Sequence, residues 1–535
     1  MATIRPDDLP AASSVTNTVA IPVDSGSAVE KATPLQVVDA AIPLASQMEA
    51  EAGSNNTKRV TPLRVAQAID ALGVSAANLA STDADKGAAL SGYDDTENYS
   101  GDNIGTRLNI LSATMRPAMR GIFSSGSDQY AALLAFINEA AAGGKVIEWG
   151  PIDLTFDVTT QDGNGTRGLA VPSGSRWVMH PDAVFRAETN SADNYEIINI
   201  RNVDDVWIEG CGAQLIGDLA THTGVTGEYG MGLSLRGANR VTVRDLRMSA
   251  CWGDGVYVGT GTQVWCEDIL LSNLRSTGNR RQGFSLISAR NLICENSQFF
   301  NTDGTSPQAG VDIEPNDPGE YLENIVFRDI LTKGNTGPGL KMWLTNLDGT
   351  SNPVSITVDG FEDDGSTNGL QMGWVAPTGI PGIIRVNRPL LRNSVEGAIG
   401  LRQLQATGPK TIIDQPVCRD WNRGGGSSTA TESAISIYAV SGDTGTTALG
   451  NLDVIEPRYQ LNSGTTPRLF VVSDARTTTP DVVTGIRHID PLSAPSGQSH
   501  STPSAQASGG IEMRDRLGVV STTLSDASQT LASGT

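Results

Sequence analysis

The chain has 535 residues, 59 of them glycine and only 18% charged, and its 38 Lys plus Arg against 59 Asp plus Glu leave a net charge of −21. A field of that sign repels phosphate backbones and anionic lipid surfaces, which argues against nucleic acid as a partner. No run of about 18 apolar residues is present and no basic segment followed by an apolar stretch opens the chain, so neither membrane insertion nor secretion by a leader is expected.

Residues 1–75 hold a short repeat, Thr33-Pro34-Leu35-Gln36-Val37 and, 28 positions on, Thr61-Pro62-Leu63-Arg64-Val65. Thr as N-cap with Pro at the first helical position starts a helix, and Leu63, Ala66, Ile69 and Leu72 carry it along one face. Two such short helices cannot bury their apolar faces alone, so this segment needs a partner surface. Over 76–125 the periodicity gives way to Ala, Gly, Asp and Ser, the composition of a neck or linker. Order returns over 126–168. There Ser127 is placed to cap a helix whose Ala131, Leu134, Ile137 and Ala141 share one face, Gly143-Gly144 ends it, and Lys145 to Trp149 reads as a strand.

Residues 169–492 are repetitive, and the repeat is the most informative feature of the sequence. A glycine precedes an apolar-x-apolar triplet at Gly232-LSL, Gly255-VYV, Gly283-FSL, Gly310-VDI, Gly339-LKM and Gly369-LQM, at intervals of 23, 28, 27, 29 and 30 residues. Each unit holds a second strand, Val241-x-Val243, Val264-x-Cys266, Leu292-x-Cys294, Ile325-x-Phe327 or Ile356-x-Val358. Several then lead to a polar turn residue and another apolar one, as in Asp245-Leu246, Asp268-Ile269 and Asp329-Ile330. A unit this short cannot form a core, so units must stack with like positions about 4.8 Å apart. The expected fold is therefore all-β, a solenoid of parallel strands.

Its inward columns are Leu233, Val256, Phe284, Val311, Leu340, Leu370 and Leu235, Val258, Leu286, Ile313, Met342, Met372. Burial of each such side chain stabilises by roughly 1.5–3 kcal/mol. The helix at 128–142 is positioned to cover the open end, whose unpaired edge otherwise invites aggregation. A propeller or sandwich requires closely spaced hairpin turns that this pattern lacks. The five cysteines (Cys211, Cys251, Cys266, Cys294, Cys418) have no metal-ligand spacing and read as small apolar fillers, with Cys266 and Cys294 adjacent inside; no metal or cofactor is expected. Residues 493–535 form a Ser/Gly/Pro linker and a polar tail with one apolar island, Leu517 to Val520, for which a small clasp and disorder both remain open.

The segment from Lys86 to Asp157, with KGAALSGY, GTRL, GSDQYAALLAFINEAA and KVIEW, resembles the entry into the right-handed parallel β-helix of phage tail spikes and the pectate-lyase-like superfamily. WGDGVYVG at 252–259 and QAGVDIEPN at 308–316 are similar to motifs of phage and bacterial β-helix proteins that act on polysaccharides. The doubled Thr-Pro-Leu segment resembles N-terminal attachment regions of tail fibres. Together the resemblance covers most of residues 30–400. It implies a homotrimer in the virion tail, made in the host cytoplasm and held to the phage tail, baseplate or another tail protein through residues 1–75. It implies a body that binds, and often cleaves, bacterial capsule or lipopolysaccharide. One fold hosts hydrolases, lyases and pure binders, so the chemistry is not fixed by it. The C-terminus departs from the pattern, with no recognisable trimerisation module.

Candidate chemistry follows from the alternation. With Val311 and Ile313 inward, Asp312 and Glu314 face out together, their Cα atoms about 6.5–7 Å apart, which leans towards hydrolysis with inversion through an intervening water. The next coil sets Lys341 beside Asp312 and Trp343 beside Glu314. An ammonium keeps Asp312 ionised as base, and an indole desolvates Glu314 so that it serves as acid. Trp343 and, one coil on, Trp374 offer faces to sugar rings. Asp254, between two glycines, is a groove residue or a plain turn residue; stacking alone sets it about 10 Å from Asp312, with a lateral offset besides, which makes it a poor immediate partner. Tyr257 as base and Arg281 as carboxylate clamp, with Lys341, form the set an eliminating lyase needs. An ordinary cross-strand ion pair on a solvated wall accounts for Asp312 and Lys341 equally well, and then the chain binds glycan without cleaving it or is purely structural. His180, His222, His488 and His500 are isolated, and nothing resembles a nucleophile turn.

Overall fold

The computed structural model describes residues 113–124, 128–160, 167–374, 379–428, 431, 433–443, 448–460, 468–474 and 483–489, with short strands at 21–24, 29–32, 500–501, 511–515, 518–520 and 530–531. The chain divides into two units, Met1–Ile110 and Leu111–Thr535. In the first, Ile21–Asp24 pairs antiparallel with Val29–Ala32. The helices expected from the doubled Thr-Pro-Leu segment, and the capping role of Ser127, lie outside the described residues.

The second unit is a coil of short strands in three long sheets of 15, 11 and 11 strands. Within one turn the chain passes through sheet I (for example Asp254–Gly259), sheet II (Cys266–Ser272) and sheet III (Arg275–Thr277), then re-enters sheet I at Gln282–Leu286. Pairing between turns is parallel. The entry strands Val146–Trp149 and Asp153–Phe156 already belong to sheets II and III. At the far end Ile511–Asp515 extends sheet II, and Gly518–Val520, within the apolar island, folds back on it antiparallel.

Both expected inward columns stand in register. Leu233, Val256, Phe284, Val311, Leu340 and Leu370 pair in succession, as do Leu235, Val258, Leu286, Ile313, Met342 and Met372, and all are fully buried. The helix Tyr130–Ala142 lies against the first coil, where Phe136 meets Trp149 edge-on at 5.7 Å. Its buried face is Tyr130, Leu133, Phe136, Ile137 and Ala140, rotated by one position from the expected one, so Ala131 is exposed. The larger side chains set the face.

Three details of the repeat differ from the reading of two strands per unit. A complete third strand follows the second, and the corner between them is a single left-handed residue in successive turns: Asp245, Asn273, Asn296, Asp329 and Gly360 all have positive φ. Asp268 is not one of these corners; its successor Ile269 pairs with Val241, inside sheet II. For the same reason Cys266 and Cys294 are not stacked neighbours. Cys266 pairs with Ala289, and Cys294 pairs with Leu271, because Ile269-x-Leu271 rather than Val264-x-Cys266 is the inward pair of that turn. Both thiols are nonetheless buried and free.

The repeated glycine has a stacking cause. A Cβ at Gly255 would lie 2.9 Å from the carbonyl oxygen of Gly283, one at Gly283 2.5 Å from that of Gly310, and one at Gly310 2.6 Å from that of Gly339. Each would-be side chain points into the coil, and so does the residue after the glycine. The residue before the glycine therefore turns outward, a parity that plain alternation does not give.

A file of polar groups runs inside the corner beside these glycines. Asn335 Oδ1 accepts from Thr302, and its amide donates to Phe299 O and Ser366 Oγ. Thr332 and Ser366 hydroxyls donate to Asp363 at 2.7 and 2.6 Å. Burial outweighs those bonds and pushes the Asp363 carboxyl up to about 7. A carboxyl raised on folding stabilises fully below its unfolded pKa, and the benefit is lost as pH rises through about 7, on the order of 4 kcal/mol in all. Asp363→Asn should therefore flatten the fall in melting temperature between roughly pH 4 and pH 7. Identical pH slopes in the two proteins would rule this out.

Candidate functional site

The outer face of sheet I carries the polar groups singled out above. Outward parity before each glycine places Asp254 and, in register with it, Gln282 on this face. Asp312 and Lys341 are cross-strand partners one turn and two turns further along. The loop between Gln214–Ile216 and Tyr229–Arg236 ends at Glu228, whose carboxylate reaches Arg281 Nε at 3.3 Å. Arg281 Nη1 lies 3.4 Å from Asp254 Oδ2. Asp254, Arg281, Asp312, Glu314 and Lys341 are thus assembled on one wall.

Lys341 Nζ lies 2.8 Å from Glu314 Oε2 and 3.5 Å from Asp312 Oδ1, so one ammonium serves two carboxyls. The Gln282 amide donates to Asp312 Oδ2. Asp312 is 1% exposed, Asp254 0%, while the Glu314 side chain remains 27% exposed. The electrostatic consequences reverse the expected roles. Burial holds the Asp312 carboxyl well above the ordinary aspartate range, against the pull of Lys341 and with the push of Glu314. At Glu314, burial is overcome by the Lys341 ammonium and by hydrogen bonding from Asp312 and Lys341, so its carboxyl is held low. Asp312 keeps the proton and Glu314 is the ionised partner. Lys341, expected beside Asp312 alone, leans its flexible chain towards the more accessible carboxylate of Glu314.

Asp254 is the other buried acid. Burial pushes it up to about 6, opposed by Arg281 and a hydrogen bond from Ser285. Its Oδ1 is buried without a hydrogen-bond partner among the described residues, and Asp312 Oδ1 has the Lys341 ammonium at 3.5 Å but no hydrogen bond.

Two expected sugar contacts do not survive. Trp374 is fully buried and its indole N–H donates to Gln405 O at 3.2 Å. Trp343 stands opposite Gly373, so Trp374 shares the inward parity of Leu370 and Met372. Tyr257 is also buried, beneath the Arg236 guanidinium at 4.1 Å from its ring centroid, and burial raises its hydroxyl pKa. A hydroxyl so placed is a poor base for elimination. Trp343 remains half-buried at the surface, its ring lying where a Cβ on Gly373 would come within 2.5 Å, and Lys341 Nζ is 5.9 Å from its centroid.

Sequence reasoning missed Glu228 and Gln282. Gln282 was reachable by aligning the residue before each glycine with Asp254; Glu228 sits in an irregular loop with no periodic signal. His222, expected to be isolated, has company: its Nδ1 lies 2.9 Å from Asp218 Oδ2, beside Tyr195 on the same carboxylate, and its ring stacks on Trp252 at 3.9 Å. Among the described residues no three His, Cys, Asp or Glu side chains converge as metal ligands, and no helix is long and apolar enough to cross a membrane.

Comparison with known proteins agrees with this architecture. Residues 149–347 match the family model described as the right handed beta helix region. YclG of Bacillus subtilis (strain 168) is 26% identical over 259 residues, 44% of this chain and 42% of that protein, so the match spans less than half of either. Among solved structures, the A-module of the mannuronan C-5 epimerase AlgE4 of Azotobacter vinelandii is 13% identical, with a TM-score of 0.50 over 75% of this chain and 98% of that one. The pre-mature gene product 12 of bacteriophage phi29 is 15% identical, with a TM-score of 0.50 over 77% of this chain and 58% of that one. The body of this chain is a right-handed β-helix.

Proposed function

We propose that the chain is a phage tail spike whose β-helix binds bacterial surface polysaccharide and hydrolyses it on the outer wall of sheet I. The observation that carries this reading is the split in protonation along that wall: Glu314 held ionised beside Lys341, and Asp254 raised to about 6 on the far side of Arg281. In the proposed reaction a water oxygen attacks the anomeric carbon while Glu314 takes one of its protons. The glycosidic C–O bond breaks, and Asp254 delivers its proton to the departing oxygen. Strand stacking sets Asp254 two turns, about 10 Å, from Asp312, and the pairing adds a lateral offset of three residues. This acid and base stand wider than the roughly 6.5–9.5 Å of inverting pairs, so a bound water carries the Asp254 proton to the departing oxygen. The Asp312 and Glu314 carboxyls face each other across one ammonium, too close to flank a sugar between them. Asp312 is accordingly a positioning residue that keeps Glu314 charged, and Trp343 provides an apolar ring face beside it.

A fold shared with a bacteriophage gene product is consistent with a phage origin; a place in the virion tail, with residues 1–75 as the attachment segment and a homotrimer as the assembly, belongs to the same proposal. Half-exposed Trp207 and Val178 on the outer wall of sheet II suit a contact between copies. A binding spike without turnover is the second reading, favoured by the depth at which Asp254 and Asp312 lie.

Incubation of the protein with capsule and lipopolysaccharide separates the possibilities. New reducing ends without the ultraviolet band of an unsaturated uronate are the expected result. The same ends with that band would mean elimination, and binding without new ends would leave a pure receptor-binding spike.

A further inference from the structure

On sheet III, Gln214, Arg247, Arg275 and Gln298 follow one another as cross-strand neighbours on the outer face of successive turns. Arg247, Arg275 and Gln298 border a cleft of about 400 Å³ that also takes in Cys211 and Asp245, and Gln214 stands next to Arg247 on the sheet. Arg247 and Arg275 are exposed, about 4.8 Å apart by stacking, and like charges so placed repel. Several exterior arginines elsewhere on the coil are matched to carboxylates of neighbouring turns, as in Arg186 with Asp153, Arg240 with Asp205, Arg290 with Glu323 and Arg388 with Asp359. Among the described residues neither Arg247 nor Arg275 has such a partner. Asp245, which lines the cleft, is already engaged by the Asn273 amide and by Glu209.

The two guanidinium groups are nonetheless held in place. Arg275 lies over the Phe300 ring at 5.6 Å, and Arg247 lies over Gly212, where a Cβ would come within 3.6 Å of Nη2. Paired guanidinium forks recognise a carboxylate through parallel N–H bonds, and the flanking glutamine amides offer donors and acceptors for hydroxyls. In a chain of net charge −21, an unmatched pair of cations with sugar-type hydrogen-bonding groups on both sides is a built receptor for an anion. We propose that this cleft binds the carboxylate of an acidic saccharide unit, as a contact separate from the wall of sheet I and requiring no cleavage.

Cys211 lines the cleft and is exposed, while the other four cysteines are buried, so its alkylation reports occupancy. The full chain is treated with iodoacetamide at mildly alkaline pH, with hexagalacturonate or with maltohexaose, and carboxamidomethylation at Cys211 is followed by mass spectrometry. Hexagalacturonate should slow the reaction about fivefold or more and maltohexaose should not, with the protection removed by about 0.5 M NaCl. Protection should be absent in the R247Q/R275Q double variant, kept in part by R247K/R275K, and kept in full by E314Q, whose failure to cut glycan is a separate matter. Equal slowing by the two sugars, no slowing by hexagalacturonate, or slowing that persists in R247Q/R275Q overturns the proposal.

Discussion

Glu314→Gln is expected to lower the initial rate of reducing-end release by about 10²–10⁴-fold, the range general-base removal produces, and to lower the melting temperature at pH above the ordinary glutamate range, where the ionised Glu314 adds stability. The amide keeps the size of the side chain and its contact with Lys341, but it cannot accept a proton from water. Asp254→Asn should lower the rate by a similar factor for a different reason, loss of the acid, and the pH profile tells the two apart. In the unaltered chain Asp254 must be protonated and Glu314 ionised. Activity should therefore fall as pH rises through about 6, where Asp254 loses its proton, and fall again in acid where Glu314 gains one. The optimum lies on the acid side of 6. The Asp254 variant should lose the alkaline descent while keeping the acid limb. Melting should rise slightly in that variant near neutral pH, since a carboxyl raised on folding opposes stability once it is forced to ionise. Initial rates on a depolymerisable glycan over roughly pH 4–8 check this, and a descending limb well above 7 would remove Asp254 from the acid role.

The scaffold was legible because its signal is periodic. The glycine and the triplet after it recur every 23 to 30 residues, and a one-residue slip would turn Val311 and Ile313 out to solvent, so the register of sheet I was overdetermined. Sheet III was not, since most of its strands are three residues long and begin after a corner whose residue varies among Asp, Asn and Gly. The site divides along the same line. That Asp312, Glu314 and Lys341 meet follows from alternation and stacking alone. Which carboxyl holds the proton does not, because it depends on depth, and depth on this wall is set by an irregular loop and by the reach of the lysine chain. Trp374 failed through parity: it was matched to Trp343 as the next tryptophan along, whereas the strand pairing matches Trp343 to Gly373.

Lys341→Met is the substitution with the largest expected effect on stability and on the pH profile together. The methionine fills the space of the lysine stem, so packing is retained and only the ammonium is lost. Two carboxyls then face each other on a buried wall with Arg281 as the remaining nearby cation, and removing one partner of a buried ionic group costs about 3–5 kcal/mol. In the unaltered chain Glu314 is held low on folding, so it adds stability above its unfolded pKa, which disappears as pH falls through the folded one. Without Lys341, burial and the neighbouring carboxyl dominate, Glu314 moves up, and the sign inverts: stability becomes greatest in acid and declines as pH rises past the ordinary glutamate range. The acid limb of the activity profile should move upward with it, towards the Asp254 limb, and the window in which one group is ionised and the other protonated closes. Thermal melts and initial rates at matched pH values measure both effects. A Lys341→Met protein that melts like its parent at pH 8 and keeps the same acid limb would mean that Glu314 owes its charge to Arg281 instead.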